Sequence, residues 1–265
     1  MCGILFMIGP KSHERVKKLL PNLLHRGPDD QRIVTSERMA LGFTRLAING
    51  VDEVGAQPIE FEGLLGAFNG EIYNYQMLSE KYQIQFSSSD TEIVLPLFKT
   101  LSEGVIEALD GFYSGVIIDR TSSQIWTIRD HIGKKPLFIG RSGDDIFITS
   151  ELKAIERIDE FAPLPLGLAS VDMESGMVTS LCQHQSSQPK ESLIDIFRNA
   201  VLKRIPSSNQ PVAVFLSGGL DSSLVAAVVA KNRPNATYFT LGSGDDHSAV
   251  QEIMRKLDLK DVRYI

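Results

Sequence analysis

The second residue of the chain is a cysteine, Cys2, followed by a glycine. A small residue in that place permits removal of Met1, after which a thiol and a free α-amine share one residue. An α-amine has an ordinary pKa of about 8, so near neutral pH a useful fraction is free base. It can take the thiol proton, directly or through a water, and activate its own side chain as a nucleophile. No separate histidine is needed. Taken alone, Cys2 reads more simply as a small buried residue at the start of a strand.

Four further segments bear on that choice. Asn69-Gly70 is most often a hairpin turn. Alternatively, the Asn69 amide and the Gly70 N–H form an oxyanion hole, with glycine letting the backbone approach a reacting carbonyl. Arg45 is either an exposed arginine or the partner of a substrate α-carboxylate in a bidentate pair. Asp90, within Ser88-Ser89-Asp90-Thr91-Glu92, is either a helix N-cap or a carboxylate that grips a substrate α-ammonium. His25-Arg26-Gly27-Pro28-Asp29 is by itself a polar turn.

Together these segments resemble the glutaminase domain of class II glutamine amidotransferases, and within them the asparagine synthetase branch. The resemblance rests on Met1-Cys2-Gly3-Ile4, His25-Arg26-Gly27-Pro28-Asp29, Arg45-Leu46-Ala47-Ile48, Gln57-Pro58 and Asn69-Gly70-Glu71-Ile72-Tyr73-Asn74. It continues through Ser89-Asp90-Thr91-Glu92, Leu109-Asp110-Gly111-Phe112, the Arg129–Leu137 segment and Ser150-Glu151-Leu152-Lys153-Ala154, in the family's order. It implies an αββα sandwich of the N-terminal nucleophile hydrolase type over residues 1–183. It also implies Cys2 as nucleophile, Asn69 and Gly70 as oxyanion hole, and Arg45, Glu71 and Asp90 as the glutamine grip. Ile48 and Asn49 add backbone contacts. One departure is visible: Phe43-Thr44 stands before Arg45, where similar proteins carry a polar or basic pair.

A second candidate site is Ser217-Gly218-Gly219-Leu220-Asp221-Ser222-Ser223. It lies between an apolar run and a helical pattern, where a phosphate loop belongs: glycines let N–H groups turn to an anion and the helix N-terminus adds its dipole. It lacks Gly-Lys-Ser/Thr, so it is not a Walker A loop. It is similar to the pyrophosphate loop of ATP pyrophosphatases. That likeness implies ATP held by Ser217, Gly218, Gly219, Ser222 and Ser223, with Leu216 and Leu241 flanking adenine and Asp221 meeting Mg²⁺. ATP and Mg²⁺ are co-substrates in this reading, and no tightly bound cofactor is implied. The resemblance further implies a second Ser-Gly-Glu-Gly-Ser-Asp-Glu loop in a longer chain. These residues do not contain it, so residues 184–265 are expected to form a partial α/β parallel-sheet domain of ATP-pyrophosphatase type.

The elements that must position these groups follow from periodicity. Strands are expected at Ile4–Ile8, Met39–Phe43, Leu64–Phe68, Gly115–Asp119, Ile125–Arg129 and Ile146–Thr149, and helices at Glu14–Leu24, Tyr73–Tyr82 and Thr91–Leu101. The polar segment His184–Lys190 reads as a linker. Beyond it Leu193, Ile194, Phe197, Val201 and Leu202 share a helical face. Val212–Leu216 reads as a strand buried on both faces. A helix through Leu220, Leu224, Val225 and Val228 follows, then a strand at Ala236–Leu241. A helix through Ala249, Ile253 and Leu257 and an edge strand at Asp261–Ile265 complete a β-α-β-α-β unit.

The 265 residues carry a net charge of −6, which argues against a nucleic-acid surface. No apolar run approaches the ~20 residues of a membrane span. Two cysteines cannot build a disulfide framework, and a reducing cytoplasm is the expected compartment. The reading is therefore an amidotransferase that releases ammonia from glutamine for ATP-dependent amidation of aspartate. The alternatives are a glutaminase-only ammonia donor, a non-catalytic module that keeps the fold, or related chemistry on another acceptor. A partner chain or homodimer at the open sheet edge would complete the ATP site.

Overall fold

The computed structural model describes residues 1–48, 55–87, 89–185, 191–206, 210–241 and 246–265. Asn49, Ser88 and the linker residues 186–190 lie outside them. The chain divides into two compact units, Met1–Ser186 and Ser187–Ile265.

In chain order the first unit contains β1 (Gly3–Ile8), α1 (Ser12–Leu19), β2 (Asp30–Thr35), β3 (Met39–Arg45), β4 (Ile59–Phe61) and β5 (Leu64–Ile72). Next come α2 (Tyr75–Tyr82), α3 (Val94–Leu101), α4 (Val105–Ala108), β6 (Gly111–Asp119), β7 (Ile125–Arg129), β8 (Phe138–Ser142) and β9 (Asp145–Thr149). Three outer strands complete it: β10 (Glu160–Pro163), β11 (Gly167–Val171) and β12 (Val178–Cys182). One sheet has the order β10-β8-β9-β1-β3-β2, the other β12-β11-β7-β6-β5-β4, and every pairing within them is antiparallel.

Side-chain alternation assigns the layers. On β1, Ile4, Phe6 and Ile8 enter a core shared with Leu65 and Ala67 of β5 and Val116 and Ile118 of β6. Leu5 and Met7 face the other way, into a core with Val16 and Leu19 of α1. On β5, Leu64, Phe68 and Ile72 pack outward against Leu95 and Leu97 of α3 and Leu78 of α2. Helix, sheet, sheet and helix thus lie in four layers.

Several expectations are corrected in detail. The helix expected to run to Leu24 stops at Leu19, because Pro21 cannot continue it and Leu20–Leu23 forms a 3-10 turn. The turn Asp90–Ile93 is likewise 3-10 rather than α. Six strands escaped the sequence reading: β2, β4, β8, β10, β11 and β12. Four of these are the sheet edges, where short, partly exposed strands show little apolar alternation.

The second unit contains α5 (Leu193–Leu202), β13 (Ala213–Phe215), α6 (Leu220–Asn232), β14 (Thr237–Thr240), α7 (Asp246–Leu257) and β15 (Asp261–Tyr264). Its three strands are parallel, in the order β13-β14-β15. The core gathers Val214, Leu216, Ala226, Val229, Tyr238 and Val250. The strand expected to be buried on both faces is buried on one: Val214 points inward, while Phe215 is 79% exposed. The helical faces shift too. Leu193, Ile194, Leu220 and Leu224 are exposed, and the smaller Ala226 and Val229 make the contact of α6.

Phe6 is fully buried between the sheets, and Phe6→Ala should lower the unfolding free energy of the first unit by about 3–5 kcal/mol. Urea unfolding followed by fluorescence of the single tryptophan, Trp126 on β7, reads this directly. An unchanged midpoint would contradict the layer assignment.

Candidate active site around Cys2

Cys2 sits immediately before β1. The pairing of Gly3 with Thr44 on β3 carries it to the end of the sheet, beside Leu46. The Leu46 N–H points at Cys2 Sγ at 3.4 Å, and the thiol lies 3.7 Å from the Leu46 carbonyl oxygen. Burial pushes the Cys2 thiol up from its ordinary value, against the Leu46 contact and the charges of Arg45 and Arg26. Burial also lowers the α-amine of Met1, with Cys2 opposing and Arg26 and Lys135 adding to the effect.

Arg26 ties the turn after α1 to this end of the sheet. Its Nε donates to the Cys2 carbonyl at 2.8 Å, and its Nη1 meets Glu151 Oε1 at 2.5 Å. Glu151 also meets His25 and Lys153. Burial raises the Glu151 carboxyl, but hydrogen bonds from Arg26, Lys153 and His25 outweigh this and hold it at about 2. A side chain at Gly27 would meet the Thr44 and Arg45 backbone at 2.5 Å, so glycine is what allows the turn to lie against β3. The departure at Phe43-Thr44 has a structural basis: Phe43 is core, and Thr44 Oγ1 donates to the Leu23 carbonyl at 3.1 Å.

Asn69 and Gly70 lie inside β5, not in a hairpin turn, which removes that alternative. Asn69 shares the inward parity of Leu65 and Ala67. It is 1% exposed, and its Nδ2 is buried with no hydrogen-bond partner among the described residues. An unsatisfied buried amide costs about 1–3 kcal/mol. Gly70 is fixed by its neighbours as well: a Cβ there would lie 2.1 Å from the Phe112 carbonyl oxygen on β6. Gln57 braces this stretch, since Phe68 N–H donates to its Oε1 at 2.7 Å and its Nε2 donates to the Phe68 carbonyl at 3.0 Å.

Asp90 is buried, and its Oδ2 accepts the Ile72 N–H at 2.6 Å. It is not the cap of the following turn. Ser89 is the N-cap and forms a capping box with Glu92, which frees the Asp90 carboxylate from that duty. One pocket of about 60 Å³ brings the groups together: Met1, Cys2, Arg45, Ile48, Asn69, Gly70, Glu71 and Asp90 all line it. Of the residues expected at this site, only Asn49 lies outside the described ones. The pocket also takes in Gln57, Ser89, Thr91 and Lys135, to which sequence reading gave no role. The Gln57-Pro58 and Lys134-Lys135-Pro136 segments were the only signals for two of them. A larger cleft of about 490 Å³ lies between β4 and α3, but none of these groups lines it.

Residues 1–200 match the family described as "Glutamine amidotransferase domain". The chain belongs to the glutamine amidotransferase family. Residues 192–265 match the family described as "Asparagine synthase". A "Probable asparagine synthetase [glutamine-hydrolyzing]" of Acanthamoeba polyphaga mimivirus is 33% identical over 98% of this chain and 56% of its own length. "Asparagine synthetase [glutamine-hydrolyzing] 2" of Arabidopsis thaliana is 35% identical over 88% of this chain and 43% of its own. The chain thus spans about half the length of these relatives. A solved glutamine phosphoribosylpyrophosphate amidotransferase from B. subtilis superposes with a TM-score of 0.57 at 19% identity. It covers 89% of this chain and 65% of that one, a likeness of amidotransferase fold alone.

The second expected site lies in the second unit. Leu216 is buried after β13, and Gly218 has φ +83°, a conformation suited to glycine. Gly219 stands at the N-cap of α6 with no side-chain cap. The serine hydroxyls turn inward: Ser222 and Ser223 donate to the Gly219 carbonyl at 3.1 and 2.6 Å, and Ser217 Oγ lies 3.0 Å from Ser222 Oγ. Asp221 is in the first turn of α6, and Leu241 is exposed beyond β14.

Glu151 supplies a pH-dependent link. Because its folded carboxyl is depressed, its contribution is present above the ordinary carboxylate value and is lost as pH falls from about 4.5 to about 2. The difference in melting temperature between wild type and Glu151→Gln should therefore be largest above pH ~5 and shrink towards pH ~2. Thermal scans across that range check it, and a constant gap would exclude the role.

Proposed function

We propose that this chain hydrolyses glutamine to glutamate and ammonia through Cys2, once Met1 is removed, within an enzyme of the glutamine-hydrolysing asparagine synthetase type. The observation that carries the reading is the buried Asn69 amide, without a hydrogen-bond partner among the described residues, in the pocket of the Cys2 thiol. A buried polar group left unpaired calls for an explanation, and a catalytic role is one of the few available.

In this mechanism Arg45 holds the glutamine α-carboxylate, while Glu71 and Asp90 hold its α-ammonium. Ile48 lines the same pocket, and a backbone contact from Asn49, outside the described residues, belongs to the same proposal. The Cys2 α-amine takes the thiol proton, and Sγ attacks the side-chain amide carbon. The carbonyl oxygen becomes an oxyanion facing Asn69 Nδ2 and the Gly70 N–H. Collapse of the tetrahedral adduct expels ammonia, with the α-ammonium returning its proton to the leaving nitrogen. Water, deprotonated by the same amine, then cleaves the thioester, releasing glutamate and restoring the thiol.

Residues 1–183 form the glutaminase part of the proposal and residues 184–265 part of a synthase unit. There the Ser217–Ser223 loop, with Gly218 and Gly219 N–H groups and the start of α6, meets the phosphates of ATP, and Leu216 and Leu241 flank its base. Among the described residues no group of three or more His, Cys, Asp or Glu could hold a metal. Nucleotide-borne magnesium keeps phosphate and water ligands and takes one or two carboxylates, so Asp221 fits as its protein ligand. The ion would neutralise phosphate charge. Aspartate as acceptor is supported by the names of the relatives. A partner chain or a second copy adding at the β15 edge is part of the same proposal, as is the cytoplasm as its compartment. Among the described residues no helix is long and apolar enough to cross a membrane.

Ammonia release from glutamine tests the reading. Cys2→Ala should abolish it, and intact mass should show that the active protein begins at Cys2. Asn69→Ala should lower kcat by about 10²–10³ with KM little changed, whereas Asp90→Asn should chiefly raise KM. A retained Met1 in active protein, or a pure binding defect in Asn69→Ala, would overturn it. Calorimetry should further show Mg-ATP heat that disappears in Asp221→Ala; equal heat in both would remove the loop.

A further inference from the structure

The Arg129–Leu137 segment carries an arrangement that the mechanism above does not use. Asp130 is fully buried. Its Oδ1 accepts the N–H groups of Ile132 at 3.1 Å and Lys134 at 3.0 Å, and its Oδ2 those of Lys135 at 3.2 Å and Tyr113 at 3.3 Å. The Asp130 N–H donates back to the Tyr113 carbonyl at 2.9 Å. Arg129 closes the loop from the other side, donating to the Lys135 and Leu164 carbonyls. One carboxylate thus fixes the path of residues 130–135 onto β6, and Gly133, with φ +70°, makes the turn.

The loop delivers Lys135 to the pocket that holds Cys2, Asn69 and Glu71. Its ammonium has no hydrogen-bond or ion-pair partner among the described residues. Such a charge, half-buried, favours a neighbouring anion and disfavours a neighbouring cation. We propose that Lys135 is a charge-setting residue that favours the thiolate of Cys2, and that the Asp130 cradle holds it in that position; this rests on the reading of Cys2 as the nucleophile.

The charges that face Cys2 come from every surrounding element. Arg26 follows α1, Arg45 ends β3, Glu71 lies on β5, Asp90 follows the segment after α2, the α-amine of Met1 adjoins Cys2, and Asp29, before β2, acts on that α-amine. Lys135 feels burial first, which lowers its amine, then Glu71, Arg26, Cys2 and Lys134. Arg26 has its charge engaged by Glu151. Lys135 has no hydrogen-bonded partner of this kind among the described residues, and the anions it faces are Glu71 first and then Cys2.

Alkylation of Cys2 by iodoacetamide as a function of pH reads the thiolate without requiring turnover. Peptide mass spectrometry separates Cys2 from Cys182, a partly exposed thiol on β12 whose further exposure marks a loosened fold. Lys135→Met should move the Cys2 midpoint up by about 0.5–1 pH unit, Lys135→Arg should restore it, and the Cys182 midpoint should not move. Should the methionine variant expose Cys182, Lys135→Gln carries the same expectation with a polar side chain. An unmoved Cys2 midpoint in a folded neutral variant, or a shift in Lys135→Arg equal to that in Lys135→Met, would overturn the proposal. Glutamine hydrolysis by the same proteins separates the two readings. A midpoint shift in Lys135→Met, with a wild type that releases no ammonia, leaves the charge effect standing and removes the nucleophile. Active wild type with an unmoved midpoint removes Lys135 and leaves the nucleophile.

Discussion

The site depends on the register of one strand. β1 lies between β3 and β9, with Gly3 opposite Thr44 and Leu5 opposite Thr149. It is buried on both faces, Ile4, Phe6 and Ile8 towards the second sheet and Leu5 and Met7 towards α1. A slip of one residue would exchange the two sets and mismatch both cores. Burial therefore fixes where the strand begins, and with it the position of Cys2. The glycine after Cys2 belongs to the same constraint: a Cβ on Gly3 would lie 2.5 Å from Thr44 Oγ1 and 2.9 Å from Leu23 Cβ.

Around that fixed point, carboxylates do the aligning. Asp90 holds the Ile72 N–H where β5 ends, Glu151 holds Arg26, and Asp130 gathers four backbone N–H groups. Each joins a loop to an element distant in sequence, and charge-assisted hydrogen bonds of this kind are stronger than neutral ones. Asn69 Nδ2 and Arg26 Nη2 are buried donors without an acceptor among the described residues. For Asn69 the flanking β5–β6 ladder keeps the strand from turning the amide elsewhere, at a cost of about 1–3 kcal/mol for an unpaired buried donor.

The second unit is organised differently. Its parallel strands present Val214, Tyr238 and Val262 to the helices, and Phe215, Phe239 and Arg263 on the opposite face. There the Arg263 guanidinium lies 5.9 Å from the Phe239 ring. Parallel sheets are ordinarily covered on both faces. Among the described residues Phe215 is 79% exposed on that face, and β15 is an edge strand of the sheet.

The sequence by itself determined the central strands of both sheets, because Ile4–Ile8, Met39–Phe43, Leu64–Phe68 and Ile125–Arg129 are buried runs whose composition leaves few alternatives. It determined the nucleophile candidate and its companions through short segments of distinctive chemistry, and the β-α-β-α-β order of the second unit through its alternating patterns. It did not determine the edges β2, β4, β10 and β12, whose residues answer to solvent as much as to a partner strand. Nor could it choose between a hairpin and a strand for Asn69-Gly70. That depended on Phe112 and Tyr113, more than forty residues away, pairing closely enough that only glycine fits between them. Tertiary structure alone decided that Asp90 takes the Ile72 N–H, that Asn69 points inward between the sheets, and that the Asp130 loop brings Lys135 to the pocket of Cys2. Each of these is a contact between distant segments, and local propensity carries no information about such contacts.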